Sequence, residues 1–218
     1  RHTRALPPPP QVIAVALQAS TVGSRLAGFG SAPGSGAELF AACLLLALLL
    51  VNGCAAFAPS TKAELTDAVA AWASDAISAQ GTYGHISTWG TSAITDMSYV
   101  FCGATSSYYA YPDGLFCVNY GICCIPALAS FNEPLNWDMS NVTTMEGMFE
   151  DAESFNQLLN FDTSSVTTME GMFYGAETFD QLLSFDTSSV TTMTYMFQSA
   201  TAFNQVLSFD TSSVTTMA

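Results

Sequence analysis

The apolar and polar positions of the last third of the chain recur with a fixed period of 24 residues. Three stretches, 137–160, 161–184 and 185–208, align without a gap, and a fourth begins at residue 209. The positions that repeat most clearly are Asp138, Asp162, Asp186 and Asp210; Val142, Val166, Val190 and Val214; and Met145, Met169, Met193 and Met217. A period in the twenties is typical of proteins in which each unit stacks on the next. We therefore expect stacked units that share one apolar core.

Within one unit, the pattern predicts two short elements. The segment SSVTT is rich in β-branched residues and predicts a short strand. The apolar residues of 172–179 then recur at helical spacing, and Thr167 with Glu170 fits a capping box, so a short helix is expected to follow. The predicted fold is therefore an α/β repeat solenoid of short parallel strands and short helices. The expected core positions are Phe161, Val166, Met169, Met172, Phe173, Ala176, Phe179, Leu182 and Leu183.

The motif V-T-x-M-x-x-M-F-x-x-A-x-x-F-N-Q, preceded by W/F-D-x-S, occurs at 142–157, 166–181 (with Asp for Asn) and 190–205. This motif resembles the repeat of BspA-like surface antigens and mycoplasma lipoproteins. Together, 89–104 and 131–217 carry the resemblance over roughly half of the chain. The resemblance implies a leucine-rich-repeat-like fold and a secreted or surface-anchored protein with an adhesive or unknown role. It supplies no catalytic residues.

The start of the chain predicts a leader. Residues 1–36 are rich in Pro, Ala, Gly and Ser, so we expect no packed structure there, or an artefact of the gene model. An apolar run follows at 39–51, and 37–58 predicts a signal peptide cleaved near residue 56 or 58. The alternatives are an uncleaved anchor, a buried helix, a lipid anchor on Cys54 and a plastid-targeting leader suggested by Phe57-Ala-Pro59. The chain begins without Met and ends inside a repeat, so we expect a fragment, truncated at its C-terminus.

Residues 59–80 predict a helix that caps the first unit. Thr61 and Glu64 have the spacing of a capping box, and Leu65, Val69 and Trp72 line one face. A repeat stack needs its first open layer covered, which gives this helix a structural purpose. The repeat domain is then expected over 81–218.

The first repeat unit is diverged and interrupted. Residues 89–104 match the start of a unit, but its second Phe is expected at Phe131, so 105–130 is interpreted as a loop insert. Four cysteines lie at or within this insert: Cys102, Cys117, Cys123 and Cys124. Export would favour disulfides, with Cys102 bonded to Cys123 or Cys124 and Cys117 bonded to the other. A fully reduced set and a zinc site are the alternatives, and the absence of a CxxC pair disfavours zinc.

The charge balance limits the partners of the chain. From Phe57 onward there are seventeen acidic residues and one basic residue, Lys62. Phosphate backbones are bound by Lys and Arg, so nucleic acid is excluded, and contact with a membrane is expected only through the signal or a lipid anchor. Cations and basic protein patches are compatible. The acidity is also expected to keep the repeats soluble and monomeric.

No catalytic set, metal site or cofactor is predicted. His85 stands alone without a candidate nucleophile, and the repeated Asp row is expected to cap turns rather than to bind Ca²⁺. Asn141, in Asn-Val-Thr, is an N-glycosylation candidate if the export route is eukaryotic.

We therefore expect a non-enzymatic scaffold that is secreted or on the cell surface (alternatively in a plastid) and binds a protein or glycan ligand. The predicted binding residues are the aromatic residues of the insert: Tyr108, Tyr109, Tyr111, Phe116 and Tyr120. Their alternative role is a lid over the first layer. The alternative function is a structural protein that faces ice or mineral through its stacked Ser, Thr and Asp rows.

Overall fold

A computed structural model describes residues 56–103, 116–118 and 122–217. Two helices come first, α1 (Lys62–Ser74) and α2 (Ala76–Tyr83), and two short 3₁₀ helices lie at Ile86–Thr88 and Pro126–Ser130. An antiparallel hairpin in the insert pairs β1 (Phe116–Val118) with β2 (Ile122–Cys124). The leader over 1–36 and most of the signal peptide predicted at 37–58 lie outside the described residues.

The N-terminal cap forms two helices where one was predicted. The Thr61 hydroxyl accepts a hydrogen bond from the Glu64 N–H at 3.2 Å, so the predicted N-cap is present. The predicted apolar face is buried, and Trp72 packs edge-to-face on Trp89 of the first unit. The backbone of Asp75 is extended, and its carboxylate accepts the N–H groups of the next turn, which ends α1 and begins α2.

The predicted α/β repeat solenoid is wrong. The described residues of the repeats contain neither a strand nor a helix; each unit is a series of turns. Neighbouring units are joined by isolated parallel bridges, each only one residue long. These bridges are Asp96–Thr144, Thr144–Thr168, Thr168–Thr192 and Thr192–Thr216. The structure therefore does not support the leucine-rich-repeat-like architecture that the resemblance implied.

Positive φ angles explain why the predicted helix is missing from each unit. Gly171 has a φ of 57° and Gly175 a φ of 66°, whereas a right-handed helix needs negative φ throughout. The predicted capping box is also absent, because the Thr167 hydroxyl donates to the Thr143 carbonyl of the preceding unit at 3.0 Å. The helical spacing of the apolar residues therefore reflects successive turns.

Successive backbone N–H groups in the middle of each unit alternate between an acceptor in the next unit and an acceptor in the same unit. The N–H groups of Gly171, Phe173 and Gly175 donate to the next unit at 2.9, 2.9 and 2.8 Å. The intervening N–H groups of Met172 and Tyr174 donate three residues back and close the turns. The same alternation occurs over 97–103 and 145–151. Half of the peptide groups in these segments therefore link one unit to the next.

Two columns of phenylalanine rings form the centre of the core. The first column contains Phe101, Phe149, Phe173 and Phe197, and the second contains Phe131, Phe155, Phe179 and Phe203. Neighbouring rings lie 5.4–5.7 Å apart in the first column and 6.0 Å apart in the second. Phe131 packs on Phe101 with centroids 4.5 Å apart, so it serves as the second Phe of the first unit across the insert.

Substitution of two glycines of the same unit, both with a positive φ, tests this backbone conformation. Gly175→Ala should cost about 2–3 kcal/mol, because a Cβ there would combine a positive φ with a collision against the Asp151 carboxylate. Gly171→Ala should cost only about 1 kcal/mol, because the nearest atom to its Cβ is 3.9 Å away and only the φ penalty applies. Denaturant unfolding measures both. Equal losses in the two variants would contradict the close approach of Asp151 to Gly175.

Candidate binding face

An exposed apolar column runs along the outside of the stack. We call it the outer stripe; it consists of Pro134, Leu158, Leu182 and Val206, which hold the same place in successive units. Leu158, Leu182 and Val206 are 53%, 55% and 80% exposed. The next residue is buried in three of the four units (Leu135, Leu159 and Leu183), whereas Leu207 in the last complete unit is 37% exposed. The prediction that Leu182 belongs to the core is therefore wrong, because only one of the two adjacent leucines points inward.

A ladder of side-chain hydrogen bonds borders the outer stripe. Asn156 Oδ1 accepts from the N–H of Asp180 at 3.0 Å and from Gln181 Nε2 at 2.9 Å. Asp180 Oδ1 accepts from the N–H of Asn204 and from Gln205 Nε2, both at 2.9 Å, which lowers the pKa of Asp180. We call this the amide ladder; it consists of Asn132, Asn156, Asp180, Asn204, Gln157, Gln181 and Gln205. Its side chains are fixed by their neighbours.

The outer stripe lies in a nearly uncharged part of an acidic chain. Across 132–136, 156–160, 180–184 and 204–208 the charged residues are Glu133 and Asp180. A contiguous exposed apolar surface rimmed by polar groups is typical of a contact site for another molecule. Sequence reasoning missed this surface because it assigned every leucine to the core. The sequence feature that could have revealed this surface is the repeated Gln-Leu-Leu or Gln-Val-Leu. Each unit is one layer thick, so only one of the two adjacent apolar side chains has room to point inward.

Acidic side chains gather elsewhere, around the turns of the second and third units. The Tyr99 hydroxyl donates to Glu146 Oε1 at 2.7 Å, and its ring lies against Gly147. Burial, together with the nearby charges of Asp151 and Glu146, raises the pKa of Glu150 to about 7. Burial and the charges of neighbouring acids also raise the pKa of Asp151.

The repeated aspartates cap their own turns. The carboxylate of Asp162 accepts from the N–H and the hydroxyl of Ser164 at 3.1 and 2.7 Å, and these bonds lower its pKa. Asp138 and Asp186 bind their own serines in the same way. Across the described residues, no group of three or more His, Cys, Asp or Glu side chains is placed to hold a metal ion.

Cys102 and Cys124 form a disulfide, and both are fully buried. This pairing is one of the two that the sequence left open for Cys102. Cys117 and Cys123 lie opposite each other in the hairpin register, but their side chains lie outside the described residues. The predicted binding residues of the insert fall there too: Tyr108, Tyr109, Tyr111, Tyr120 and the side chain of Phe116.

Two isolated sequence candidates lie within the described residues. Asn141 is exposed, and its side-chain amide donates to the Ser92 carbonyl at 2.9 Å. The ring of His85 packs edge-to-face on Trp72, and its Nδ1 lies 2.8 Å from the Ser87 hydroxyl. Both side chains therefore have local structural partners.

The sequence profile of one protein family matches residues 69–110 and 124–218, well over half of the chain. That family is described as "Mycoplasma protein of unknown function, DUF285". The chain belongs to the DUF285 family. The DUF285 profile leaves 1–68 unmatched, and also 111–123, which falls inside the insert predicted at 105–130. No curated protein and no solved structure matches the chain.

Within the part of this DUF285 protein that the structure describes, no helix is both long and apolar enough to cross a membrane.

The raised pKa of Glu150 predicts that the protein is more stable at pH 5 than at pH 8. Between the ordinary carboxyl value of 4.5 and about 7, the folded state holds more protons than the unfolded state, so stability falls as pH rises. Below about pH 4 the trend reverses. The pKa values of the turn aspartates are lowered in the folded state, so the protein loses stability as these aspartates become protonated. Melting temperatures measured from pH 3 to pH 8 should show both slopes.

Glu150→Gln isolates the group responsible. The variant should flatten the slope between pH 5 and pH 8, because glutamine does not titrate. Asp67→Asn, an exposed position on α1, removes one charge as a control and should keep the slope. An unchanged slope in Glu150→Gln would contradict the assignment.

The disulfide yields a separate prediction. It closes a loop with a sequence separation of 22 residues, and its reduction should cost about 3 kcal/mol of unfolding free energy. Peptide mapping without reduction should recover Cys102 linked to Cys124. A Cys117→Ser, Cys123→Ser double variant should keep both the link and the stability. Loss of the link in that control would show that Cys102 pairs differently.

Proposed function

We propose that this protein is a non-enzymatic scaffold, secreted or on the cell surface, that binds a partner protein through the outer stripe. The observation that carries the proposal is the exposure of Leu158, Leu182 and Val206 at one register of the stack. About half or more of each of these side chains is therefore not covered by the stack. This uncovered area is available to a partner, and apolar contact at the centre of an interface supplies much of its affinity.

The surface location is supported by three separate observations. The chain resembles the repeats of bacterial surface antigens, and the family it belongs to is described from Mycoplasma. The disulfide between Cys102 and Cys124 fits an oxidising environment, where such bonds persist. The strongly acidic composition keeps a repeat protein with exposed apolar residues soluble.

The amide ladder favours a protein partner over a glycan. Glycans are bound largely through hydrogen bonds, but Gln157, Gln181 and Gln205 already donate to the ladder beside the outer stripe. A partner protein that binds through an uncharged apolar patch needs few free hydrogen-bond donors on this surface. The single basic residue after the leader, Lys62, bonds to Asp96 at 2.9 Å, which disfavours polyanionic ligands.

The ice- or mineral-facing alternative rests on the exposed threonine column. The hydroxyls of Thr143, Thr167, Thr191 and Thr215 all donate to the preceding unit at 3.0–3.1 Å. Their regular array supports a flat periodic lattice as ligand, although the hydroxyl hydrogens are used within the stack. Assay of thermal hysteresis distinguishes this alternative from protein binding.

Site-specific crosslinking tests the proposed protein binding. A photoreactive amino acid placed at residue 182 should capture a partner on intact source cells, whereas the same group at residue 167, on the threonine column, should not. Leu158→Asp with Leu182→Asp should reduce capture at least about tenfold, because two apolar contacts are replaced by charges. Both positions are exposed, so the melting temperature should stay within about 2 °C.

Two outcomes would count against the proposal. Equal capture from residues 167 and 182 would mean that the outer stripe is not the contact surface. Failure of an antibody against the protein to bind intact cells, together with absence of the protein from the medium, would contradict the proposed location.

A further inference from the structure

The short segment before α1 is part of the folded structure. Phe57 packs edge-to-face on Tyr83 and on Trp89, with ring centroids 4.8 and 5.2 Å apart. The Phe57 carbonyl accepts a hydrogen bond from the Gly90 N–H at 2.8 Å. Two residues later, Pro59 is buried. The chain is therefore held against the first unit by a ring and by a backbone bond from residue 57 onward.

The Phe57 ring covers the central aromatic residue of the cap. Trp89 is 2% exposed. Around it lie the rings of Phe57, Trp72, Tyr83 and Trp137. Of these four, Phe57 has the shortest centroid distance to Trp89, 5.2 Å against 6.0–6.1 Å for the others. Removal of Phe57 would open one side of Trp89 to water and would lose two aromatic contacts.

The residues just before Phe57 have the pattern of a cleavage site. Small residues at the third position and at the last position before the cut bond are typical of export signals. Cys54 and Ala56 fill these positions for a cut directly before Phe57. Ala56 and Ala58 fill them for a cut two residues later. Residue size alone therefore leaves both bonds open, and the fold distinguishes them.

We propose that export removes the leader after Ala56, so that Phe57 is the first residue of the mature protein. A cut after Ala58 would remove the ring and the carbonyl that hold the chain to the first unit. The compact unit that contains the repeats begins at Ala56, which is exposed. A cut after Ala56 therefore places the new α-amino group at the surface. This inference rests on the export that the proposed function includes, and it adds the position of the cleaved bond.

The same contacts disfavour the plastid alternative. A transit peptide that began at Phe57 would be removed in a second step, together with the ring that covers Trp89. Directly downstream the chain enters α1, whose buried face carries Leu65, Val69 and Trp72. A second removable segment would therefore consist of residues that the fold uses.

N-terminal sequencing of the protein recovered from the surface or the medium of source cells tests the proposal. The sequence should begin Phe-Ala-Pro-Ser. A start at Cys54, at Pro59 or further downstream would overturn the assigned bond and leave the proposed function standing. An uncleaved protein found only inside the cells would overturn both this inference and the proposed location.

Two substitutions separate the candidate bonds. Cys54→Leu places a bulky side chain three positions before the cut and should abolish the start at Phe57. Ala58→Leu, at an exposed residue behind the cut, should keep that start. Both variants are assessed by N-terminal sequencing, so neither result depends on the stability of the fold. Loss of processing in Ala58→Leu, with normal processing in Cys54→Leu, would place the cut after Ala58 and overturn the proposal.

Phe57→Ala tests whether the mature protein uses this residue. The processed variant should melt at least about 4 °C below the parent, because a core-facing ring is lost. Ile77→Ala, at an apolar residue of α2 that is 85% exposed, is the control. Its melting temperature should stay within about 2 °C of the parent. Equal melting temperatures of the two variants would overturn the argument that Phe57 is retained for the fold.

Discussion

The structure depends on hydrogen bonds between backbone groups about 24 residues apart. Over 97–103, 145–151 and 169–175, every second peptide group points along the stack, with its N–H toward the following unit. These bonds satisfy backbone groups that a helix or a sheet would satisfy in other folds. A one-residue insertion within a unit would reverse which peptides point along the stack, so the bonding pattern demands the strict period seen in the sequence.

The same bonds impose a cost at defined positions. A positive φ occurs at two positions of each unit between 137 and 208. Gly147, Gly171 and Gly175 adopt it without strain from a side chain, whereas Tyr195 and Ser199 hold these positions in the last complete unit. Tyr99 and Asp151 adopt the conformation despite their side chains, with φ angles of 58° and 53°. Their side chains lie over Gly147 and Gly175 of the following units, where a Cβ would collide with them. The strained residue in one unit and the glycine in the next therefore form a matched pair.

Much of this arrangement could be predicted from the sequence, but its local geometry could not. The period identified the stacked Val and Met positions, the turn-capping aspartates, the role of Phe131 across the insert and the two possible disulfide partners of Cys102. The helix was predicted wrongly because apolar residues three and four apart are consistent both with a helix and with successive turns. The strand was predicted wrongly because β-branched SSVTT forms a bridge at only one residue per unit. Leu182 was misplaced because hydrophobicity alone does not tell which of two adjacent leucines points inward.

Leu182 and Leu183 are adjacent in the sequence but differ in burial. Leu183 is buried in the stack, whereas the side chain of Leu182 projects from it and is 55% exposed. The turn aspartates and the amide ladder are likewise engaged with their own units or their neighbours. The outer stripe is therefore an apolar surface that recurs along the stack and is not enclosed by the core. Substitutions there leave intact the bonds that hold the stack together.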